Sequence, residues 1–441
     1  MTQIISDITE SLSEKYAFIE EAGGIKEFRH KSNSLQILLL EDHAAPVVTL
    51  MITYRVGSRN EGTGLTGATH FLEHLMFKGT DKFNKVNGSS IFNVLQTVGA
   101  QVNATTWLDR TNYFELLPRD HLQLAIEIEA DRMRGSLLLE DELERERTVI
   151  LNEFDRGENE PMRKLYQAVW SAAYVAHPYH HPTIGWRSDI ENASAEGLRG
   201  FYDTFYWPNN ATVSVIGDFE EDAVLNLIDQ HFGEITHAPD ETPCVRTREP
   251  EQNGERRITI RQTGQLGAVM IAFKSPPATE METDALEVLE MILTSGKTSR
   301  LFRRLTDAGL TSHVFGSVSR LRDPGLFFIY AMLAPEVRHE KVEEELLAVL
   351  HEIAEQGVSD KELARAIKQI KAEEAYNRDG TFAVASQLNE AIAAGDWKLY
   401  TSFLDNIERI SVEDVKMVAK KYLCRDSMTV GHYEAIDCPP R

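Results

Sequence analysis

The sequence predicts an α+β chain built from one unit used twice. Three observations carry that prediction. Strand-like runs and helix-like segments follow the same order in each half. A polar, proline-bearing stretch separates the halves. The 441 residues, at ~150 per domain, give a prior of two to four domains. The expected boundaries are a first domain over 1–235, a linker over 236–256 and a second domain over 257–441.

The elements can be justified in order. Residues 35–40 (LQILLL) and 46–56 (PVVTLMITYRV) are apolar or β-branched runs with a polar break at Glu41-Asp42-His43, and so read as strands. A connector with Gly57, Gly62, Gly64 and Gly67 leads into residues 68–77, whose spacing predicts a helix with Phe71, Leu72 and Leu75 facing a core. Gly99 ends a further helical stretch. Residues 101–108 and 111–117 form an expected hairpin around Asp109-Arg110. Residues 122–138 and 140–158 read as helices, the second densely charged, and 211–215 (ATVSV) as a strand leaving through Gly217-Asp218. The stretch 236–256 carries Pro239, Pro243, Pro250 and Gly254 and reads as the linker. The order then repeats. Strands are expected at 257–262 and 268–273, helices near 280–293 and 299–308, strands near 313–319 and 326–333. Helices over 336–355 and 360–376 and a last strand near 428–432 follow. The matching order is that of a duplicated α+β unit.

Composition narrows the function. Apolar residues at 42% and charged residues at 26% exclude a disordered or collagenous chain. Lys plus Arg (46) against Asp plus Glu (69) leaves a net charge of −23. That argues against non-specific nucleic-acid binding and against docking on an anionic membrane, and leaves room for a basic peptide ligand. Cys244, Cys424 and Cys438 are odd in number and scattered, so a reducing compartment is expected rather than a disulfide framework. No signal-peptide pattern opens the sequence and no apolar run reaches membrane-spanning length. The expected location is the cytoplasm.

The sharpest feature is His70-Phe71-Leu72-Glu73-His74. On a helix, His70 and His74 at i and i+4 project from one face and can offer two nitrogens to one Zn²⁺ at about 2.0–2.1 Å. Glu73, on the same side, can take a proton from the attacking water. A catalytic zinc site needs a third protein ligand. Glu146 and Glu153 lie two helical turns apart on the charged segment and face the same way. One can bind the metal and the other can hydrogen-bond a ligand imidazole and fix its tautomer. The opposing reading has weight: a short motif arises by accident, and glutamates in a charged helix are ordinarily a solvated face.

Two other motifs carry weaker signals. Ser295-Gly296-Lys297-Thr298 contains the end of a phosphate-binding loop, but position 291 is Met where the pattern needs Gly, and the preceding segment reads as helix. His177-Pro178-Tyr179-His180-His181-Pro182 is histidine-rich, yet its prolines fit a turn-rich structural loop better than a second metal site.

Gly57-Ser58-Arg59-Asn60-Glu61, Gly67 through Thr80 (GATHFLEHLMFKGT), and Gly99 through Thr106 (GAQVNATT) followed by Asp109, Thr111 and Tyr113 resemble the pitrilysin/insulinase family of zinc metallopeptidases. Within it they resemble the branch of short bacterial enzymes and mitochondrial processing peptidase. The resemblance covers nearly the whole chain. It implies two homologous domains, each a mainly antiparallel sheet packed with helices, facing each other around a chamber. It further implies zinc on His70, His74 and Glu153, Glu73 as general base, Glu146 as the supporting carboxylate, and a substrate-binding edge strand at Asn103 and Ala104. The second half departs from the pattern: Thr306 and Ser312 stand where active members carry an Arg and a Tyr, with Arg304 nearby. The departure implies a heterodimer whose homologous partner subunit supplies that pair, with a homodimer as the lesser option. The competing class is a non-catalytic core or structural subunit of the same fold.

Overall fold

In the computed structural model, residues 12–436 are described. The chain divides into two units. The first comprises Met1–Glu153, Pro182–Arg246 and Asn377–Ala393; the second comprises Phe154–His181, Thr247–Tyr376 and Ala394–Arg441. The change at Arg246/Thr247 falls inside the stretch read as a linker, and no helix or strand lies between Phe232 and Arg256. The segments 154–181 and 377–393, however, group with the unit opposite to the one a single cut would assign.

The first unit holds a seven-stranded sheet: β1 (Tyr16–Ala22), β2 (Ile25–His30), β3 (Gln36–Glu41), β4 (Val47–Tyr54), β5 (Gln101–Thr106), β6 (Thr111–Pro118) and β7 (Ala211–Gly217), in the order β1-β2-β3-β7-β4-β6-β5. The second holds a five-stranded sheet: β8 (Arg256–Thr263), β9 (Ala268–Lys274), β10 (Thr311–Val318), β11 (Leu326–Leu333) and β12 (Met428–Ile436), in the order β10-β11-β9-β12-β8. Reading the second sheet from its other end gives β8-β12-β9-β11-β10, which matches β3-β7-β4-β6-β5 strand for strand. In each sheet the only parallel pair is the matching one, β3 with β7 and β8 with β12. The duplication expected from the sequence is therefore present in the topology, and both sheets are mainly antiparallel.

Hydrophobicity accounts for the strand order. β7 is buried along its whole length and β4 along all but its first residue, as their mainly apolar and β-branched residues, interrupted only by hydroxyl side chains, suit central strands. β5 alternates exposed and covered residues and lies at the end of its sheet, so one edge of its backbone is unpaired within that sheet. The β1–β2 hairpin was not read from the sequence. Its strands carry Glu20, Glu21, Lys26, Glu27 and Arg29, which break the alternation. Its turn is Gly23-Gly24, both at positive φ (58° and 81°).

The helices are α1 (Ala68–Leu75), α2 (Ile91–Thr97), α3 (Leu122–Gly135), α4 (Glu140–Glu158), α5 (Pro161–Ala173), α6 (Arg187–Asn192), α7 (Ala195–Phe205) and α8 (Glu221–Phe232). They continue with α9 (Met281–Thr294), α10 (His339–Gln356), α11 (Asp360–Asn377), α12 (Thr381–Ala394), α13 (Lys398–Arg409) and α14 (Val412–Tyr422). The helix expected at 299–308 is present but shorter, over 300–306, with Phe302–Thr306 of π type, and Gly309 in the left-handed region follows it. In the second unit, Ile271, Phe273, Leu289, Phe327, Leu346 and Val418 belong to one core between sheet and helices. In the first unit, α12 lies against the sheet. Thr381 hydrogen-bonds Thr49 at 2.8 Å, Thr53 donates to Asn389 at 2.8 Å, and the Phe382 ring packs 4.5 Å from that of Phe114. No helix among the described residues is long and apolar enough to cross a membrane. Cys244 and Cys424 are exposed free thiols, and Cys438 lies outside the described residues.

Candidate active site

α1 carries both histidines, and its entry is fixed from several sides. Gly67, the residue before the helix, has φ 86° and sits so close to the 184–185 backbone that a Cβ there would lie 2.4 Å from the Ile184 carbonyl oxygen. Only glycine fits both demands. Glu61 accepts from two amides at the helix start, Gly67 N–H at 2.7 Å and Thr69 N–H at 2.8 Å, a side-chain solution to the donors that a helix start leaves without intrahelical partners. Thr66 donates to Asp189 at 2.7 Å and accepts from the Trp186 amide at 2.9 Å. Phe71, Leu72 and Leu75 are fully buried, as their spacing predicted. That face anchors the helix and leaves the face of His70, Glu73 and His74 only partly covered.

α4 supplies the two carboxylates. His70 Nε2 lies 3.5 Å from Glu153 Oε2, and the His70 and His74 rings have their centroids 4.9 Å apart. One ligand atom from each of His70, His74 and Glu153 falls within 4.8 Å of the others, the single such group among the described residues. Ligands at about 2.0–2.1 Å in a tetrahedral set are about 3.3 Å apart, so two nitrogens and one carboxylate oxygen at these separations fit Zn²⁺ with a fourth position left over. Glu146 lies beside His74 and Lys78, with Oε2 3.0 Å from His74 Nδ1 and Oε1 2.6 Å from Lys78 Nζ. Burial works against its charge, but the bonds to Lys78 and His74 prevail and hold its carboxyl below the usual range. Lys78 was not singled out in the sequence, although it lies one turn beyond His74.

Glu73 is mostly buried, and burial raises its pKa; the Thr106 hydroxyl and the His74 ring act in the opposite direction. Thr106 Oγ1 donates to Glu73 Oε2 at 2.5 Å. Asn103 and Ala104 lie three and two residues upstream on the same edge strand, Asn103 exposed and Ala104 buried, paired with Phe114 and Tyr113 of β6. All seven residues singled out from the sequence thus lie in the first unit, on α1, α4 and β5.

In the second unit α9 follows β9 as α1 follows β4. Aligned on the positive-φ glycines just beyond the two helices, Gly79 and Gly296, Glu287, Glu290 and Met291 stand where His70, Glu73 and His74 stand. A carboxylate and a thioether replace the two imidazoles, so this unit keeps the scaffold without the nitrogen donors. Gly296-Lys297-Thr298 follows this helix and not the strand that a phosphate-binding loop requires. The histidine-rich loop is engaged internally. His177 accepts from the Tyr179 amide at 3.2 Å and faces Asp323 at 3.1 Å, and His180 Nδ1 lies 3.0 Å from the His177 carbonyl. Arg304 is tied to Glu345 and Glu352.

Comparison with known proteins agrees with this layout. Residues 36–186 match the insulinase (peptidase family M16) model, and residues 192–370 match the peptidase M16 inactive domain. The chain is 30% identical over 395 residues to the zinc protease PqqE of Helicobacter pylori, covering 88% of each protein. It is 24% identical over 404 residues to a probable mitochondrial-processing peptidase subunit beta of Arabidopsis thaliana, covering 89% of this chain and 75% of that one. Among solved structures, a protease from Helicobacter pylori superposes with a TM-score of 0.89 at 28% identity, covering 94% of this chain and 100% of the other.

Proposed function

The chain belongs to the insulinase (M16) peptidase family, and from that premise we propose that it is a zinc-dependent endopeptidase acting on peptides or unfolded segments. The observation that carries the proposal is the convergence of His70, His74 and Glu153 to within 4.8 Å, beside a partly buried carboxylate, Glu73, on the same helix as the two histidines. Two imidazoles and one carboxylate would hold Zn²⁺, which when bound polarises the scissile carbonyl and acidifies water. Glu73 takes the proton of the attacking water and hands it to the leaving amine. Glu146 accepts from His74 Nδ1 and leaves Nε2 as the ligand nitrogen. The unpaired edge of β5 at Asn103 and Ala104 receives the peptide as an added strand, with main-chain bonds that make little demand on side-chain sequence.

The catalytic site is completed by a homologous partner subunit in a heterodimer. Thr306 and Ser312 supply neither guanidinium nor phenol, and Arg304 is held by two glutamates of its own unit. A missing oxyanion donor costs about 10²–10³ in rate. The scattered cysteines support a cytoplasmic setting.

The test is to load purified protein with zinc, alone and with candidate partners, and follow cleavage of an unstructured peptide. Glu73→Gln should keep one zinc per chain and lose cleavage, and His70→Ala should lose both. Cleavage surviving in Glu73→Gln overturns the mechanism. Full activity of the lone chain removes the partner. Less than one zinc per chain, unchanged in His70→Ala, would favour the non-catalytic subunit, the reading to which Thr306 and Ser312 also lend support.

A further inference from the structure

We propose that Thr106 is a positioning residue that fixes the Glu73 carboxylate and ties its orientation to the strand that receives the peptide. The inference rests on the reading of Glu73 as general base. Thr106 Oγ1 lies 2.5 Å from Glu73 Oε2, the separation of a hydroxyl donating to an ionised carboxylate. A hydroxyl has one proton to donate, so this bond engages Oε2 and leaves Oε1 to exchange the proton with water. Among the described residues the Thr106 hydroxyl is the hydrogen-bond donor seen on the partly buried Glu73 carboxylate, and it turns that carboxylate.

Thr106 is itself held firmly. It is the last residue of β5 and pairs with Thr111 of β6. Its neighbour Thr105 is clamped by Arg110, whose guanidinium donates to the Thr105 carbonyl at 3.0 Å, to the Thr105 hydroxyl at 2.6 Å and to Asn112 Oδ1 at 3.0 Å. A β-branched side chain has few rotamers, so a fixed backbone here means a fixed hydroxyl. Along β5, Gln101, Asn103 and Thr105 are exposed while Val102, Ala104 and Thr106 are covered. The same strand therefore offers an open backbone edge to a peptide and a hydroxyl to the base. A peptide that adds to β5 steadies the strand, and through Thr106 it steadies the carboxylate that must act on that peptide. A small misplacement of such a group costs up to about 10²-fold in rate.

The experiment compares Thr106→Val, which keeps the shape and removes the hydroxyl, with Thr106→Ser, which keeps the hydroxyl. Both are studied as the zinc-loaded full chain with whatever partner activity requires. Thr106→Val should lower kcat about 10–100-fold with KM within about twofold, and Thr106→Ser should recover to within about threefold of wild type. Zinc affinity and thermal midpoint should be unchanged in both. A second readout does not involve turnover: a peptide hydroxamate, whose head group bonds the base carboxylate, should bind Thr106→Val about tenfold more weakly and Thr106→Ser normally. Wild-type kcat in Thr106→Val, with Glu73→Gln inactive, overturns the positioning role and leaves the base assignment standing. Activity in Glu73→Gln overturns the base assignment itself. Loss of zinc or of the folded state in Thr106→Val, with Thr106→Ser no better, assigns the residue to the scaffold and overturns the proposal.

Discussion

Nδ1 of His74 lies 3.0 Å from Oε2 of Glu146, whose other oxygen lies 2.6 Å from Nζ of Lys78. A carboxylate kept ionised by a lysine makes the facing imidazole nitrogen the donor, which sets the tautomer and turns the ring. Removing the carboxylate with Glu146→Ala should weaken zinc binding about 10–100-fold. Lys78→Met should weaken it less, in the same direction, because Glu146 remains but loses the ammonium that holds its charge. Competition with a metal chelator at neutral pH measures both. Equal affinity in the three proteins would mean that His74 is oriented by other groups.

The second prediction concerns how α1 is aimed. Gly67 combines a left-handed φ of 86° with a backbone contact that a Cβ would invade, at 2.4 Å from the Ile184 carbonyl. Gly67→Ala should cost the left-handed strain of about 1–2 kcal/mol and force the 184–185 segment away, so the loss in urea unfolding should exceed that strain alone. Because the helix start moves, zinc affinity should fall with stability. Gly62→Ala is the control: nothing lies within 4 Å of its added Cβ, and both quantities should stay near wild type.

What the sequence made legible follows from how local each relationship is. His70, Glu73 and His74 share one helical turn, and Glu146 and Glu153 share one helix face, so periodicity alone groups them into two sets. That the sets meet depends on the placement of α4 against α1, and the family resemblance supplied it, not the spacing. Thr106 lies 33 residues from Glu73, and no periodicity joins a strand end to a helix face. The two exchanged segments, 154–181 and 377–393, were illegible for the same reason. The Thr53–Asn389 bond spans 336 positions, while the local pattern of α12 is only that of an ordinary helix. The β1–β2 hairpin was missed because charged residues fill positions that a half-buried strand would ordinarily give to apolar ones.

A third prediction lies beneath the candidate site. Arg132, fully buried, donates to Glu129 at 2.9 Å and faces Glu115 at 3.5 Å, with its guanidinium 4.1 Å from the centre of the Tyr113 ring. One cation serves two buried carboxylates. Burial, and then the neighbouring Glu129 charge, push the Glu115 carboxyl well above the usual range. Arg132→Met should destabilise the protein by about 3–5 kcal/mol, because it leaves a buried carboxylate without its cation. Glu115→Gln removes a carboxyl whose charged form burial disfavours and keeps its shape, and should change stability by less than about 1 kcal/mol. Chemical denaturation of the two variants distinguishes these outcomes, and a large loss in Glu115→Gln would show that Glu115 is charged.

The last prediction is a pH dependence of stability in the second unit. Glu290, which stands where Glu73 stands in the first unit, has its pKa pushed up from 4.5 to about 7, first by burial and further by Glu287 and Glu373. The Thr294 hydroxyl and the Gly316 amide pull it back only in part. The folded state therefore holds a proton on Glu290 that the unfolded chain gives up near pH 4.5. The stability this proton contributes is complete below pH 4.5, falls as the pH rises between about 4.5 and 7, and is gone above about 7. At about 1.4 kcal/mol per pKa unit the contribution is at most about 3–4 kcal/mol. Glu290→Gln keeps the shape and removes the titration, so its stability should fall less than that of wild type between pH 5 and pH 8, with the difference developing mainly below pH 7. Urea unfolding of metal-free protein at several pH values isolates this from proton release at the candidate zinc site. Parallel curves for wild type and Glu290→Gln would mean that the carboxyl titrates alike in the folded and unfolded chain.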